Sequence, residues 1–154
     1  DWTYDGSAEN VIEYAFLSAY WQQAEDRQFA LEERTALTPA PAPDRERLNT
    51  FDNRVYGAVG ELRTGFALAG MRHRVAMGGD ISWTRQDGIR DGTIPPRGEV
   101  FPSRAFPLTD FTLGGLFISD EITLFDGTLT LFPALRFDFY DLNPVEDPLL
   151  IRFN

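Results

Sequence analysis

Residues 117–142, FISDEITLFDGTLTLFPALRFDFYDL, leave this chain little choice of fold. Leu129, Leu131, Leu135, Phe137 and Phe139 share one parity, and Thr128, Thr130, Arg136 and Asp138 share the other. Hydrophobicity that repeats every second residue puts an apolar row on one face of a β-strand and a polar row on the opposite face. Phe125-Asp126-Gly127 interrupts the alternation, and Asp-Gly supplies the positive φ that a short hairpin turn requires. The stretch therefore reads as two antiparallel strands joined by a tight turn. A greasy outer row on long strands, with tight turns at one end and long loops at the other, is the pattern of a membrane β-barrel wall.

The remainder of the chain follows the same rhythm. Residues 1–5 alternate with Trp2 and Tyr4 on one face, and Asp5-Gly6-Ser7 is a turn signal. A second strand is expected over 10–23, with Tyr14 and Tyr20-Trp21 near its two ends, where an interfacial aromatic belt would sit. Residues 24–37 suit either an extension of that strand or a short amphipathic helix, and strand is the preferred reading. Residues 38–49, TPAPAPDRERLN, carry three prolines and several charges and read as a solvated loop. The next strand, 51–68, has Tyr56, Ala58, Leu62 and Phe66 on one parity and Glu61 and Arg63 on the other. After Ala69-Gly70 the chain returns over 72–85, with Val75, Met77, Ile81 and Trp83 opposite Arg74, Asp80, Ser82 and Thr84. A long Gly-, Pro- and Arg-rich connection is expected over 86–108, of the kind that is usually functional when it is not disordered. A strand over 110–124 follows, with Gly114-Gly115 marking a bulge or close packing. Asn143-Pro144 opens a further loop.

The expectation is thus an all-β chain of about six antiparallel up-and-down strands forming part of a transmembrane β-barrel wall, with short and long connections alternating. A single-chain bacterial barrel needs about 8 strands or more to close, so the chain reads as a piece of a larger wall. Charges recurring on one parity of otherwise apolar strands suit a polar lumen, and Arg63, Arg74, Asp80, Arg136 and Asp138 are assigned to the lumen wall. Pro133 lies inside the last strand and must sit at a bulge or near the rim.

Composition narrows the alternatives. A formal charge of −10 argues against a phosphate-tracking nucleic-acid binder. The chain has no cysteine, so a disulfide scaffold and a thiolate site are excluded. Its mean hydropathy of −0.27 is that of a soluble protein, but barrel strands hide from hydropathy because half their residues face a lumen. A soluble lipocalin-like β-sheet binding module is the alternative from another class.

Candidate chemistry is sparse. His73 is the only histidine, beside the short Ala69-Gly70 turn, and reads as a rim residue near lipid head groups. Asp120 and Glu121 are adjacent, so on a strand they point to opposite faces and cannot serve as an acid–base pair. No Gly-x-Ser-x-Gly elbow is present, and no enzymatic activity is expected. Asp87-Gly88 and Asp91-Gly92 lack the ligand ladder of a calcium loop and read as turns. Metal and cofactor sites within the segment are not expected. Arg90, Arg97 and Arg104 share the long connection with Phe101 and Phe106, and arginine and aromatics are enriched at binding hot spots. Either this loop contacts a ligand or partner protein, or these residues pack it against its neighbours.

At this level of detail the hairpin of 117–142 resembles a strand pair of TonB-dependent outer-membrane receptors. There an aromatic-x-x-Asp-Glu segment leads through a short turn to a Leu-Thr-Leu-x-Pro-x-Leu-Arg-Tyr-Asp strand; here Phe137 replaces the tyrosine. The segment RDGTIPPRGEVFPSRAFPLTDF is similar to the one preceding that hairpin in the haem, haemoglobin and transferrin receptor branch. The resemblance is most specific over 56–142. It implies a roughly 22-stranded, plugged barrel in the outer membrane of a Gram-negative cell, taking up haem iron from host haemoproteins with energy passed through TonB. Haem would then be the transported ligand, and the lipid, the receptor's own plug, TonB and a host haemoprotein the partners. A siderophore or other nutrient receptor of the same superfamily is the nearer alternative. Residues 1–154 would be a partial barrel, without the plug and the closing C-terminal strands. They also lack the Phe-Arg-Ala-Pro and Asn-Pro-Asn/Asp-Leu boxes and the loop histidine between them.

Overall fold

The computed structural model describes residues 1–7, 10–34, 43–96 and 98–150. Seven strands form one sheet: β1 (Trp2–Asp5), β2 (Ile12–Glu32), β3 (Arg45–Leu68), β4 (Met71–Gly92), β5 (Leu108–Leu124), β6 (Leu129–Leu131) and β7 (Ala134–Val145). Their order is that of the sequence, β1 to β6, with β7 also paired to β5. The short turns close as their residues dictate. Ala69 and Gly70 take φ of 52° and 78°, and Phe125, Asp126 and Gly127 take 50°, 53° and 94°. In the second turn the Thr128 amide and hydroxyl both donate to the Phe125 carbonyl, at 3.1 and 2.8 Å.

The strands are longer than the alternation alone indicated. Residues 24–32 continue β2, as the preferred strand reading of that stretch has it, so Tyr20-Trp21 lies in mid-strand rather than near an end. Arg45 to Asn49, expected in a loop, begin β3, and Gln86 to Gly92 complete β4. The other expected loop residues, 38–42, lie outside the described residues. The Asp87-Gly88 and Asp91-Gly92 pairs are therefore strand, not turns, and β7 runs through Asn143-Pro144 to Val145. In these stretches polar residues occupy both parities, which erases the alternation while the backbone ladder still pairs.

Pro133 divides the expected last strand into β6 and β7, which makes seven strands instead of six. The register holds across the break. Ile122 pairs with Leu131, the Asp120 amide donates to the Pro133 carbonyl at 3.0 Å, and the Phe139 ring covers Gly114. Proline costs this ladder one donor and shifts nothing.

Two compact units divide the strands crosswise. The turn unit comprises Asp1–Trp21, Val55–Trp83 and Thr112–Asp141; the loop unit comprises Gln22–Arg54, Thr84–Phe111 and the chain from Leu142. In the turn unit, contacts fix which parity shares a face. Trp2 pairs with Leu17, Phe66 stacks on His73 at 5.1 Å, and Leu116 reaches over Gly79, all on one side. Tyr20 lies over Gly57, Phe117 over Gly78, and Arg136 over Gly115, on the other. The first face carries Leu17, Phe66, Trp83, Leu116 and Phe137, each between 46% and 63% exposed. Among the described residues of the whole chain only Val75, in the turn unit, and Leu108, in the loop unit, are buried apolar side chains.

Glycine is required where strands approach closely. A Cβ on Gly78 would clash with the Gly60 carbonyl oxygen and meet the Phe117 ring at 2.8 Å. At Gly115 it would meet the far ends of Arg136 and Asp138, which can swing aside. Gly78→Ala should therefore cost about 1–3 kcal/mol, and Gly115→Ala clearly less, read as shifts in the urea midpoint of the intact protein.

Candidate functional site

On the polar face of the turn unit the sheet register assembles a row of interleaved charges. Arg74, on β4, lies 3.3 Å from Glu13 and 3.8 Å from Glu121. Arg136 bridges Asp138 at 2.6 Å and Asp80 at 3.2 Å. Arg63 donates to Glu61 at 2.5 Å and covers the Tyr14 ring, 4.8 Å from its centroid. All five residues assigned from the sequence to one polar wall, Arg63, Arg74, Asp80, Arg136 and Asp138, fall on this face. Their partners Glu13, Glu61 and Glu121 were not assigned to that wall, although Glu61 shares the parity of Arg63 and Glu121 was weighed as half of a carboxylate pair.

His73 belongs to the opposite face. It lies 2.7 Å from Asp120, its side chain is 10% exposed, and its ring stacks on Phe66. Asp120 and Glu121 thus serve different faces, as adjacent strand residues must. Among the described residues no group of three His or carboxylate side chains gathers to hold a metal ion.

The loop unit holds the second assembly. Arg104 is 7% exposed. Its guanidinium donates to Asp147 at 2.5 Å, to Asp87, and to the Gly88 carbonyl at 3.4 Å. Its amide donates to the Leu149 carbonyl at 2.6 Å. Burial works against its charge, but the hydrogen bonds it donates to Asp87 and Asp147 outweigh that and raise its pKa above the ordinary arginine value. Arg104 is therefore the clasp of the connection and is not a free contact residue.

Arg90 lies on β4 and not in the loop. Its backbone exchanges two bonds with Ser103, at 2.8 and 2.9 Å, and its guanidinium approaches Glu99 at 3.4 Å. Phe106 seats its ring on Gly88 and against Phe51, centroids 6.2 Å apart and planes tilted 58°. Phe101 is half-buried at the bend before Ser103, and Arg97 lies outside the described residues.

Beside Phe106 opens a recess of about 240 Å³, lined by Asp26, Gln28, Asn49, Thr50, Phe51, Ile89, Arg90 and Ala105. Of the five residues expected to form a contact loop, Arg90 and Phe106 meet here. Asp26 and Gln28 lie in the stretch expected to extend β2 and Phe51 at the start of the expected 51–68 strand, but none was singled out as a site residue, and Asn49 was expected in the loop before it.

Nearby, Asp52 accepts from Gln23 at 3.0 Å and from Arg54 at 3.1 Å. The Arg54 bond, against a smaller opposing effect of burial, holds its carboxyl below the usual carboxylate value. A depressed folded pKa means that the contribution is present above the unfolded value of about 3.9 and fades as pH falls through the folded one.

Arg104 is the stronger determinant. Arg104→Ala should cost about 2 kcal/mol, discounted from a fully buried pair because Asp87 is partly exposed. Hydrogen exchange should then show loss of protection at the Ser103 and Arg104 amides. Arg104→Lys should not restore it, since an ammonium cannot fork to two carboxylates as a guanidinium does.

One sheet, hairpins closed at their short turns, an apolar face without a core and a charged face opposite together describe a barrel wall. No individual curated protein matches the chain. The family model described as TonB dependent receptor-like, beta-barrel matches residues 1–149, nearly the full length, and the chain belongs to that family.

Proposed function

We propose that this chain forms wall and outer loops of an outer-membrane transporter energised through TonB, and makes or breaks no covalent bond. The observation that carries the reading is the uncovered apolar face of the turn unit in a chain with two buried apolar residues among those described. A soluble monomer rarely exposes so much contiguous apolar surface. Lipid is the solvent that such a face requires.

The dimensions support it. The two-residue Ala69-Gly70 turn sets Phe66 opposite His73 and Tyr56 opposite Trp83 on the apolar face. Those two levels are separated by ten residues along each strand, within the roughly 9–11 a transmembrane strand needs. Tyr56 and Trp83, with Trp21 next to the Tyr20 that covers Gly57, supply the aromatic girdle expected at one interface. The opposite face, with Arg63, Arg74, Asp80, Arg136 and Asp138, then lines the lumen and meets the receptor's plug.

The resemblance of residues 90–111 supports haem, drawn from a host haemoprotein, as the substrate. A second reading, another nutrient of the same superfamily, is favoured by the pairing of Arg90 with Glu99 and of Arg104 with Asp87 and Asp147. Those pairs leave neither arginine uncommitted for haem propionates.

Leu116→Arg in the intact receptor should cost about 2–4 kcal/mol in the membrane and lower the temperature at which the barrel loses its compact electrophoretic form. An unchanged transition would contradict a lipid-facing Leu116. Growth on haemoglobin as sole iron source, dependent on both this receptor and TonB, tests the substrate; growth without the receptor would remove haem from the reading.

A further inference from the structure

The recess beside Phe106 has a chemistry of its own, and its role as a ligand site rests on the transporter reading. At about 240 Å³ it is smaller than the roughly 300–1,000 Å³ of sites that engulf a drug-sized molecule. It admits a single ring and not a macrocycle.

Its charge is settled before any ligand arrives. Arg90 faces the Glu99 carboxylate, which is itself largely buried, and Asp26 adds a negative charge to the opposite wall. An anion entering here would find no uncommitted cation among the described lining residues.

What the walls offer instead are groups that donate and accept at once. Asn49 and Gln28 present carboxamides, each with two donors and one acceptor oxygen, and Gln28 is already turned toward Asp26 at 3.4 Å. Phe51, two residues along β3 from Asn49, and Phe106 hold two tilted rings that remain 36% and 41% exposed.

A ring that is apolar on its C–H face and lined at its edge with vicinal hydroxyls matches this division. The hydroxyls both donate and accept, as the amides and the carboxylate require, while the C–H face lies on phenyl. From this geometry we infer that the recess is a subsite for one residue of a neutral oligosaccharide.

The test uses the intact receptor, solubilised in detergent and applied to an array of neutral and uronate-containing oligosaccharides. The inference requires binding confined to neutral glycans. Asn49→Ala and Phe106→Ala should each weaken it by about tenfold or more. Silence of every neutral glycan, or retention of acidic ones that depends on Arg90, overturns the inference. Haem retention that depends on Arg90 overturns it too, in favour of the haem reading. Outer-membrane fractionation and TonB-dependent uptake are measured on the same strains. A receptor that transports another compound while the array stays silent loses only the sugar subsite. A protein absent from the outer membrane loses the transporter reading as well.

Discussion

A single β-sheet cannot bury its own apolar face, and every other property of this chain depends on how that is resolved. A soluble domain covers such a face with a second layer, a sheet or helices, and gains its stability from the area buried. Here the described residues provide no second layer, and the apolar row of the turn unit from Leu17 to Phe137 stays open. Stability must then come from the ladder of backbone bonds and from an apolar solvent around it. In hydrocarbon, unpaired backbone groups cost several kcal/mol each, which is why sheets enter membranes only as closed barrels. Family membership and physical requirement agree on this point.

The charged face follows from the same constraint. With one side of the sheet largely committed to apolar residues, most ionisable side chains gather on the other parity, where cross-strand neighbours satisfy them; on the apolar face His73 and Asp120 satisfy each other. Arg74 lies near two carboxylates and Arg136 bridges two. In the loop unit Arg104 repeats the device at lower exposure, drawing β4 and the residues after β7 onto one guanidinium. Arginine suits these roles because its planar fork can hold two carboxylates at fixed geometry.

The facing of the turn unit was legible in the sequence wherever one parity was predominantly apolar. Residues 55–68, 74–84 and 128–139 show this, and Ala69-Gly70 and Asp126-Gly127 announced their turns. Strand length was legible only in part. The extension over 24–32 was preferred to a short helix, but over 45–49 and 86–92 polar residues take both parities, so the periodic signal vanishes while pairing continues. Pairings were hidden for another reason, since register decides them. His73 meets Asp120 across 47 positions, Arg104 meets Asp147 across 43, and Arg136 meets Asp80 across 56. The recess beside Phe106 was invisible for both reasons at once: it needs the unrecognised ends of β3 and β4 and the fold-back of Ala105-Phe106 onto β4.

The central claim is that adjacent residues of these strands face different solvents. The chain contains no cysteine, so single cysteines can be introduced one at a time along β5 from Gly115 to Glu121 and labelled with a nitroxide. With the intact receptor in a bilayer, collision with oxygen and with a water-soluble nickel complex would be measured at each position. The account predicts strict alternation: oxygen dominating at Leu116 and Ile118, and the nickel complex or restricted access at Gly115, Phe117 and Ser119. Uniform aqueous access along β5, or no period of two, would contradict it.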